Sequence, residues 1–356
     1  MAAQQEQLVS ARQLVAHGVP YQRIADRVHQ GSLTCAAVGV YDCEPTAPGG
    51  RTMAWARARG WAEPGAVFDH LCRRSATLAL LERGDLAVAV GLAALALHGV
   101  RGLPRAFVPS VGFPTRAPRS PADGSQVRRL RGLEVTTTAS GLRVAPLEAA
   151  LAQGVLELTR RADGRTHAVA VLDDVLSRGL LDDAGLHRAR AHLRRRKGAL
   201  LAREWWDLAD AGSQSPAETW ARLSCLERGV PPDWLQLEVE NAFGAVVARV
   251  DMAWRLPDGR YLFAEIDGED VHSTPRAVFH DRARQNLLAD IGTVLRFTGA
   301  DAWHGRVGLE VAARIQPRLD PDPPDPPDAP GAPGAPAPPH APMTVVGPWG
   351  SGYHAR

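Results

Sequence analysis

The spacing of apolar and polar residues changes along the chain and predicts different structures in its front and rear parts. In residues 6–41, Ser10 can cap a short helix, and Pro20 can start a second helix with Ile24 and Val28 four residues apart on its apolar face. A short hairpin follows the second helix. This order predicts a small unit of helix, turn, helix and hairpin.

The rear region, residues 213–304, has a longer and more regular pattern. Ser215, with Pro216 next and Glu218 three residues on, has the spacing of a capped helix start. The elements predicted after this helix are strands at 235–239, 246–254 and 261–266, a helix at 275–291 and a strand at 293–297. The predicted order is αβββαβ.

Period-two alternation within this region assigns side chains to faces of the predicted sheet. Val250, Met252 and Trp254 share one face of their strand, so Asp251 projects from the other face. On the following strand Glu265 projects opposite to its apolar neighbours. If the two strands pair as a hairpin, Asp251 and Glu265 lie close together on one face.

Two further carboxylates belong to this predicted cluster: Glu218 comes from the preceding helix, and Asp267 follows Glu265 at the end of its strand. Clustered carboxylates are costly unless they are protonated or bridged by a metal, and hard oxygen ligands suit Mg²⁺ or Mn²⁺. One or two such ions can activate water for phosphodiester hydrolysis. The alternatives are that Glu218 only caps its helix and that Glu265 and Asp267 form a structural ion-pair network with arginines.

Composition narrows the class of protein. The chain has 356 residues with 45% apolar content, enough for several cores. No segment approaches the roughly 20 apolar residues of a membrane span, and the first residues lack a signal-peptide pattern, so we expect a cytoplasmic protein without membrane partners. The four cysteines have no CxxC spacing.

Charge is divided unevenly along the chain. Residues 1–200 carry 27 Lys and Arg against 17 Asp and Glu, whereas residues 201–315 carry 12 against 18. A basic front part suits an anionic partner, and an acidic rear part repels one unless divalent cations lie among its carboxylates. We interpret residues 100–131 as an exposed basic loop and the run from Arg194 to Lys197 as a solvated helix face.

The front part resembles a known antitoxin family. The similarity includes Leu8 to Tyr41, Leu97-His98-Gly99, Leu133 to Thr136 and Arg143 to Glu148. These segments are similar to AbiEi-type antitoxins of abortive-infection, type IV toxin-antitoxin systems. The resemblance implies an N-terminal winged helix-turn-helix that binds DNA, and a possible cognate toxin or self-association as further partners. The exposed residues of the second helix that suit DNA contact are Gln22, Arg23, Arg27 and Gln30.

The rear part resembles the PD-(D/E)xK nuclease fold, and in particular an uncharacterised endonuclease-like domain related to very-short-patch-repair nucleases. The motif that carries this resemblance is Glu265-Ile266-Asp267-Gly268, His272, Asp281-Arg282, Arg284 and Leu295-Arg296-Phe297. The resemblance implies that Asp251 and Glu265 bind the metal, with Glu218 as an accessory ligand. It also implies that His272 transfers a proton or contacts phosphate.

The remaining motif positions complete this interpretation. The resemblance makes Arg282, Arg284 and Arg296 phosphate-contacting or supporting groups. Asp267 stands where the fold commonly has a lysine that orients the attacking water, and Lys197, the single lysine of the chain, lies outside the region. His272 then substitutes for the lysine, or the site is inactive.

We therefore expect a multi-domain α+β or α/β chain. The predicted domains are a winged helix-turn-helix at 1–45, an antitoxin-like mixed region at 52–200, an endonuclease-like αβββαβ domain at 205–315 and a disordered Pro/Ala/Gly-rich tail at 316–356. The leading hypothesis is an Mg²⁺-dependent DNA endonuclease. The alternatives are a non-enzymatic antitoxin-like transcriptional repressor with a degenerate nuclease domain, and a degenerate fusion that makes mainly protein contacts.

Overall fold

The chain forms a mixed α+β structure with three sheets in its described part. The computed structural model describes residues 2–44, 64–113, 124–129, 132, 134–240, 244–267, 286–319 and 345–346. Within these ranges no helix has both the length and the apolar character that crossing a lipid bilayer requires. The chain divides into two compact units, Met1–Pro216 and Ala217–Arg356, so the second unit begins later than the predicted residue 205.

The first unit opens with a small three-stranded sheet and two helices. The elements are β1 (Leu8–Ser10), α1 (Ala11–Ala16), α2 (Tyr21–His29), β2 (Thr34–Ala37) and β3 (Val40–Asp42), and the strand order is β1-β3-β2. The predicted cap at Ser10 is confirmed, because its side chain accepts from the Gln13 amide while the Gln13 side chain accepts from the Ser10 amide. Ile24 and Leu33 are the buried centre of this part. Strand β1 was not predicted.

The rest of the first unit surrounds a five-stranded sheet with the order β6-β5-β4-β8-β7. Its elements are α3 (Pro64–Arg83), β4 (Val88–Val90), α4 (Gly91–Leu97), β5 (Ser110–Phe113), β6 (Gln126–Arg129), β7 (Thr136–Thr137), β8 (Arg143–Val144), α5 (Leu147–Leu158), α6 (Gly164–Ser177), α7 (Asp183–Ala191) and α8 (Ala199–Trp206). Helices α4, α5 and α6 are rich in buried apolar side chains.

The prediction of an exposed basic loop over residues 100–131 is wrong for the part that the structure describes. Strand β5 is buried at all four positions. Arg101 forms an ion pair with Asp174 at 2.6 Å, and Arg128 forms one with Glu157 at 3.0 Å. Asp174 is buried and the Glu157 side chain is only 9% exposed, so these arginines compensate carboxylates within the unit.

A group of charged side chains joins the N-terminal sheet to helix α3. Glu6 accepts from His70 and from Arg73, and Arg74 donates to the Glu6 carbonyl at 2.7 Å and to the Asp42 carboxylate at 2.6 Å. The partners His70 and Arg73 lower the pKa of Glu6, against the opposing effect of burial. The N-terminal sheet is therefore attached to the rest of the first unit by charge-assisted hydrogen bonds.

Asp69 on helix α3 gives the first unit a pH-dependent stability. Burial, the largest cause, raises the pKa of Asp69 to about 6. Because the folded state holds this proton more tightly than the unfolded state, the contribution is present at low pH and is lost as pH rises through about 6. We expect Asp69→Asn to raise the melting temperature at a pH of about 8 and to change it little at a pH of about 3, below the pKa of the unfolded state. An equal shift at both values would contradict this assignment.

The second unit is built on a five-stranded mixed sheet with the order β12-β11-β10-β9-β13. Its elements are α9 (Pro216–Glu227), β9 (Trp234–Glu240), β10 (Val246–Arg255), β11 (Tyr261–Asp267), a helical segment at 286–291, β12 (Gly292–Thr298), α10 (Gly299–Trp303), α11 (Arg306–Leu319) and β13 (Val345–Val346). The predicted helix start and all four predicted strands are confirmed. The predicted helix at 275–291 is confirmed over its described residues, 286–291.

Two apolar clusters hold this sheet. One contains Met252, Trp254 and Leu262 together with side chains of α9 and α11, and the other contains Leu237 and Phe263 together with the helical segment 286–291. Strand β10 is antiparallel to both β9 and β11, and β12 is parallel to β11. The sheet is thus covered by apolar side chains on both sides, and a polar residue within it needs a specific partner.

The structure corrects two predictions for this unit. Val250 packs in the cluster of Phe263, whereas Met252 and Trp254 pack in the other cluster, so the three do not share a face. The change of side occurs at Asp251, beside an irregular position of strand β9 described below. The predicted disordered tail at 316–356 also contains secondary structure, because α11 continues to Leu319 and Val345–Val346 form β13, which pairs with β9. The other residues of that tail lie outside the described ranges.

Candidate functional site

Four polar residues lie at one level across the sheet of the second unit. Glu265 on β11 is paired directly with Arg296 on β12. The pairs on either side of Asp251, Val250 with Leu237 and Met252 with Leu235, place it opposite Gln236. The β10–β11 register, continued by one step beyond its last pair, places Asp251 opposite Glu265. The row across the four strands is therefore Gln236, Asp251, Glu265 and Arg296.

The Asp251 carboxylate accepts a hydrogen bond from a strand amide, as a backbone carbonyl of the neighbouring strand would in a regular ladder. The β10–β11 ladder ends at Met252 and Ala264, and the next free amide, that of Ile266, donates to Asp251 Oδ2 at 2.8 Å. Burial is the main cause that raises the pKa of Asp251, and the charge of Asp267 raises it further. The amides of Ile266 and Gln236 act in the opposite direction. Asp251 is thus held rigidly, in a place where a negative charge is costly.

Gln236 links Asp251 to helix α9. Its Nε2 donates to Glu218 Oε2 at 2.8 Å and to Asp251 Oδ1 at 3.3 Å, so one amide group contacts both carboxylates. Gln236 is buried and has a φ of 52°, a left-handed conformation that is uncommon for a residue with a side chain. Such strain within a strand is kept where the surrounding structure requires it, and it is enriched at functional sites.

The sequence did not reveal Gln236. Its alternation with Leu235, Leu237 and Val239 is that of an ordinary solvent-facing position, and Glu238 two residues on has the same appearance. The left-handed backbone and the burial are tertiary properties, which no local pattern encodes.

Glu265 is the most buried carboxylate of the row. Only 4% of the residue is exposed. Its Oε2 lies 3.3 Å from the Nε of Arg296, whose side chain is 37% exposed. The guanidinium therefore connects a buried carboxylate with the surface and compensates part of its charge.

The other predicted site residues are placed as follows. Asp267 ends β11, where it pairs with Thr298, and it is close enough to Asp251 to raise the pKa of that carboxyl. The structure thus brings Glu218 and Asp251 together around Gln236, with Asp267 nearby, and it pairs Glu265 with Arg296. His272, Arg282 and Arg284 lie outside the described residues. Within the described ranges, no three His, Cys, Asp or Glu side chains already form a group that could hold a metal ion.

Of the predicted DNA-contacting residues, three lie on helix α2 of the first unit, and Gln30 is the residue that caps the end of this helix. Gln22, Arg23, Arg27 and Gln30 are all exposed. Arg23, Arg27 and Gln30 follow the spacing of a single helix face, and the Gln22 side chain donates to Asp26 at 3.3 Å. This face is accessible to a partner, while Ile24 on the opposite face is buried.

Comparison with known proteins gives relatives of this chain. No protein-family profile matches it. The chain is 30% identical over 200 residues to two proteins named Uncharacterized protein MT2308 and Uncharacterized protein Rv2248, from two strains of Mycobacterium tuberculosis. The match covers 56% of this chain and 70% of each relative. The chain therefore belongs to the same family as these two mycobacterial proteins.

Proposed function

We propose that this protein is a metal-dependent DNA endonuclease whose phosphodiester-cleaving site lies in the row of Asp251 and Glu265, in a restriction-endonuclease-like domain. The observation that carries the proposal is the convergence of Glu218, Asp251 and Gln236 at the irregular point of the sheet. A mid-strand aspartate is disfavoured for structure alone. Here it is kept within a sheet that is apolar on both sides.

Two carboxylates, Glu218 and Asp251, have the chemistry that suits a hard divalent cation. The carboxylate oxygens of Glu218 and Asp251 lie close to one point, where the Gln236 amide group donates a hydrogen bond to each of them. Burial is the largest cause that raises the pKa of Asp251, and a bound cation would act in the opposite direction. Carboxylate oxygens are the preferred ligands of Mg²⁺ and Mn²⁺. Glu218, Asp251 and Glu265 would hold the cation.

The side chains of the chain itself have distinct roles in this proposal. When bound, Mg²⁺ lowers the pKa of water and stabilises charge on the phosphodiester. Ile266 and Gln236 orient the Asp251 carboxylate through their amides. Arg296 keeps its charge at any physiological pH, so it contacts phosphate or Glu265 but does not accept a proton. Asp267, in place of the common lysine, leaves proton acceptance to a carboxylate or to His272.

We assign DNA recognition to the front of the chain. The helix, turn, helix and sheet over residues 8–42 have the order of a winged helix-turn-helix, as the AbiEi resemblance implies. The exposed face of α2 presents Gln22, Arg23, Arg27 and Gln30, residue types that contact base edges and phosphates. In this proposal the front module finds DNA and the second unit cleaves it.

Metal titration tests the carboxylate site directly. Calorimetry on the full chain is expected to show binding of Mn²⁺ and Mg²⁺. In the double variant Asp251→Asn/Glu265→Gln, we expect the affinity to fall by about tenfold or more. Glu238→Gln, a change at a partly buried carboxylate on strand β9, is the matched control and should leave the affinity unchanged. Absence of binding by the unsubstituted chain would refute the proposed site.

A second candidate function is a non-enzymatic, antitoxin-like transcriptional repressor. The observation in its favour is that Asp251 accepts from a backbone amide and Glu265 pairs with a guanidinium group. These contacts are also those of a hydrogen-bond network with a purely structural role. A repressor protects an operator near its own gene in footprinting and leaves the DNA uncut. A cognate toxin or self-association belongs to this candidate. Metal-dependent cleavage would exclude it as the complete function.

A further inference from the structure

The strongest unassigned charge on the described surface lies at the start of helix α8. Five cations occur within ten residues, and all of them are exposed: Arg194, Arg195, Arg196, Lys197 and Arg203. Together with the exposed Leu200 and Leu201, they form what we call the 194–203 surface. Four of these arginines line an open concavity of about 540 Å³. The concavity lies wholly within the first unit.

The cations of this surface lack the compensation that other arginines of the chain have. Arg188 forms an ion pair with Glu148, and Arg190 forms one with the nearby Asp207 at 2.7 Å. Within the described residues, the 194–203 surface has no ion pair, and its single acidic neighbour in sequence is the exposed Glu204. The surface therefore keeps a strong positive potential, which attracts a polyanion.

The backbone of this surface is strained and fixed. Arg195 has a φ of 57°, and Gly198 has a φ of 87° immediately before α8. Gly198 also packs tightly, since a Cβ there would lie 2.8 Å from the Thr159 hydroxyl. Leu193 is buried and anchors the turn. An arginine in the left-handed region is less favourable than asparagine or glycine.

We propose that the 194–203 surface binds the phosphodiester backbone of nucleic acid independently of base sequence. Guanidinium groups form planar, paired hydrogen bonds to phosphate oxygens, and four arginines around one concavity suit consecutive phosphates better than an isolated anion. The proposal goes beyond the nuclease function, because this surface is in the first unit and needs no metal. It also goes beyond helix α2, which carries different residues.

The salt dependence of binding measures these contacts. With the full chain in EDTA and a labelled duplex of about 20 base pairs, we expect log Kd to vary linearly with log salt. Arg194→Gln/Arg195→Gln/Arg196→Gln should reduce the slope by about 2 to 3 and weaken binding most at low salt. EDTA removes the metal site from the measurement, so a failure here is distinct from a failure of the proposed nuclease function.

A matched variant controls for net charge. Arg188→Gln/Arg306→Gln/Arg314→Gln removes the same charge from exposed arginines that already have carboxylate partners, and it should change the slope much less. Equal slopes for the two triple variants would overturn the proposal. An RNA duplex of the same sequence, bound with the same loss in the first variant, would support phosphodiester recognition and show which nucleic acid is preferred.

Two more outcomes are decisive. Arg195→Asn removes backbone strain, so we expect a melting temperature at or above that of the unsubstituted chain together with a slope reduced by about 1. A lower melting temperature with unchanged binding would show a structural role and overturn the proposal. Polyglutamate that competes as well as DNA would do the same, because it would indicate an acidic protein partner.

Discussion

Supercoiled plasmid is expected to be nicked by the full chain with Mg²⁺ or Mn²⁺, and Asp251→Asn is expected to slow nicking at least ~100-fold. Asparagine has the size of aspartate and keeps an oxygen that can accept from the Ile266 amide, which Asp251 now does at 2.8 Å. It lacks the charge that holds a divalent cation. The measurement is the fraction of open-circular plasmid over time at equal protein concentration.

The controls for this result follow from the pKa of Asp251. Because burial raises that pKa, a neutral residue at this position should not lower the melting temperature, and a folded but inactive variant is expected. Glu238→Gln, on strand β9 of the same sheet, should nick at the rate of the unsubstituted chain. Nicking that persists unchanged in Asp251→Asn would remove Asp251 from the site and point to another carboxylate or to a contaminating nuclease.

Gly308→Ala is expected to destabilise the second unit by about 2 kcal/mol net. A Cβ at this position would lie 2.2 Å from the Ser224 carbonyl oxygen and 2.4 Å from its carbonyl carbon. These are backbone atoms of helix α9 and cannot rotate away, so α9 and α11 must separate, at a cost of about 3 kcal/mol. The better helix propensity of alanine returns only about 1 kcal/mol.

Tryptophan fluorescence during urea denaturation measures this effect. Trp220 and Trp303 are in edge-to-face contact beside the same helices, so their emission reports on the packing. Gly299→Ala is the control, because its nearest neighbour would be the Ala217 Cβ at an ordinary 3.8 Å. Equal midpoints for the two variants would mean that α9 and α11 tolerate a wider spacing than the structure shows.

Elements with a strong local signal were predicted correctly. Strands β10 and β11 follow from alternation and from the turn at Pro257-Asp258-Gly259, and helix α9 follows from its start at Ser215. In the first unit, by contrast, β5 is short, buried on both sides and lacks alternation. Arg128 appeared to be a loop residue because its partner Glu157 is distant in sequence. Long-range partners of this kind leave no local pattern.

The candidate site shows the same division. Asp251 and Glu265 were found because a carboxylate between apolar strand residues is unusual. Their predicted common face assumed a regular strand, and this assumption failed at Val250, which packs on the side opposite to Met252. The irregularity lies opposite Gln236 on the neighbouring strand, which has a left-handed backbone and contacts Glu218 and Asp251. A pattern within one strand cannot report on its neighbour.

The contacts of the N-terminal segment also set an order of events during synthesis on the ribosome. Gln5 is buried and donates to the Ser140 carbonyl, 135 residues later in the chain, and Glu6 binds His70 and Arg73 on α3. At roughly 5–20 residues per second, those 135 residues take on the order of 10 s to translate. Strands β1 to β3 can pair as soon as they emerge, whereas Gln5 and Glu6 must remain solvated until their partners appear. Gln5 and Glu6 are therefore open to chaperones and proteases until Ser140 has been made.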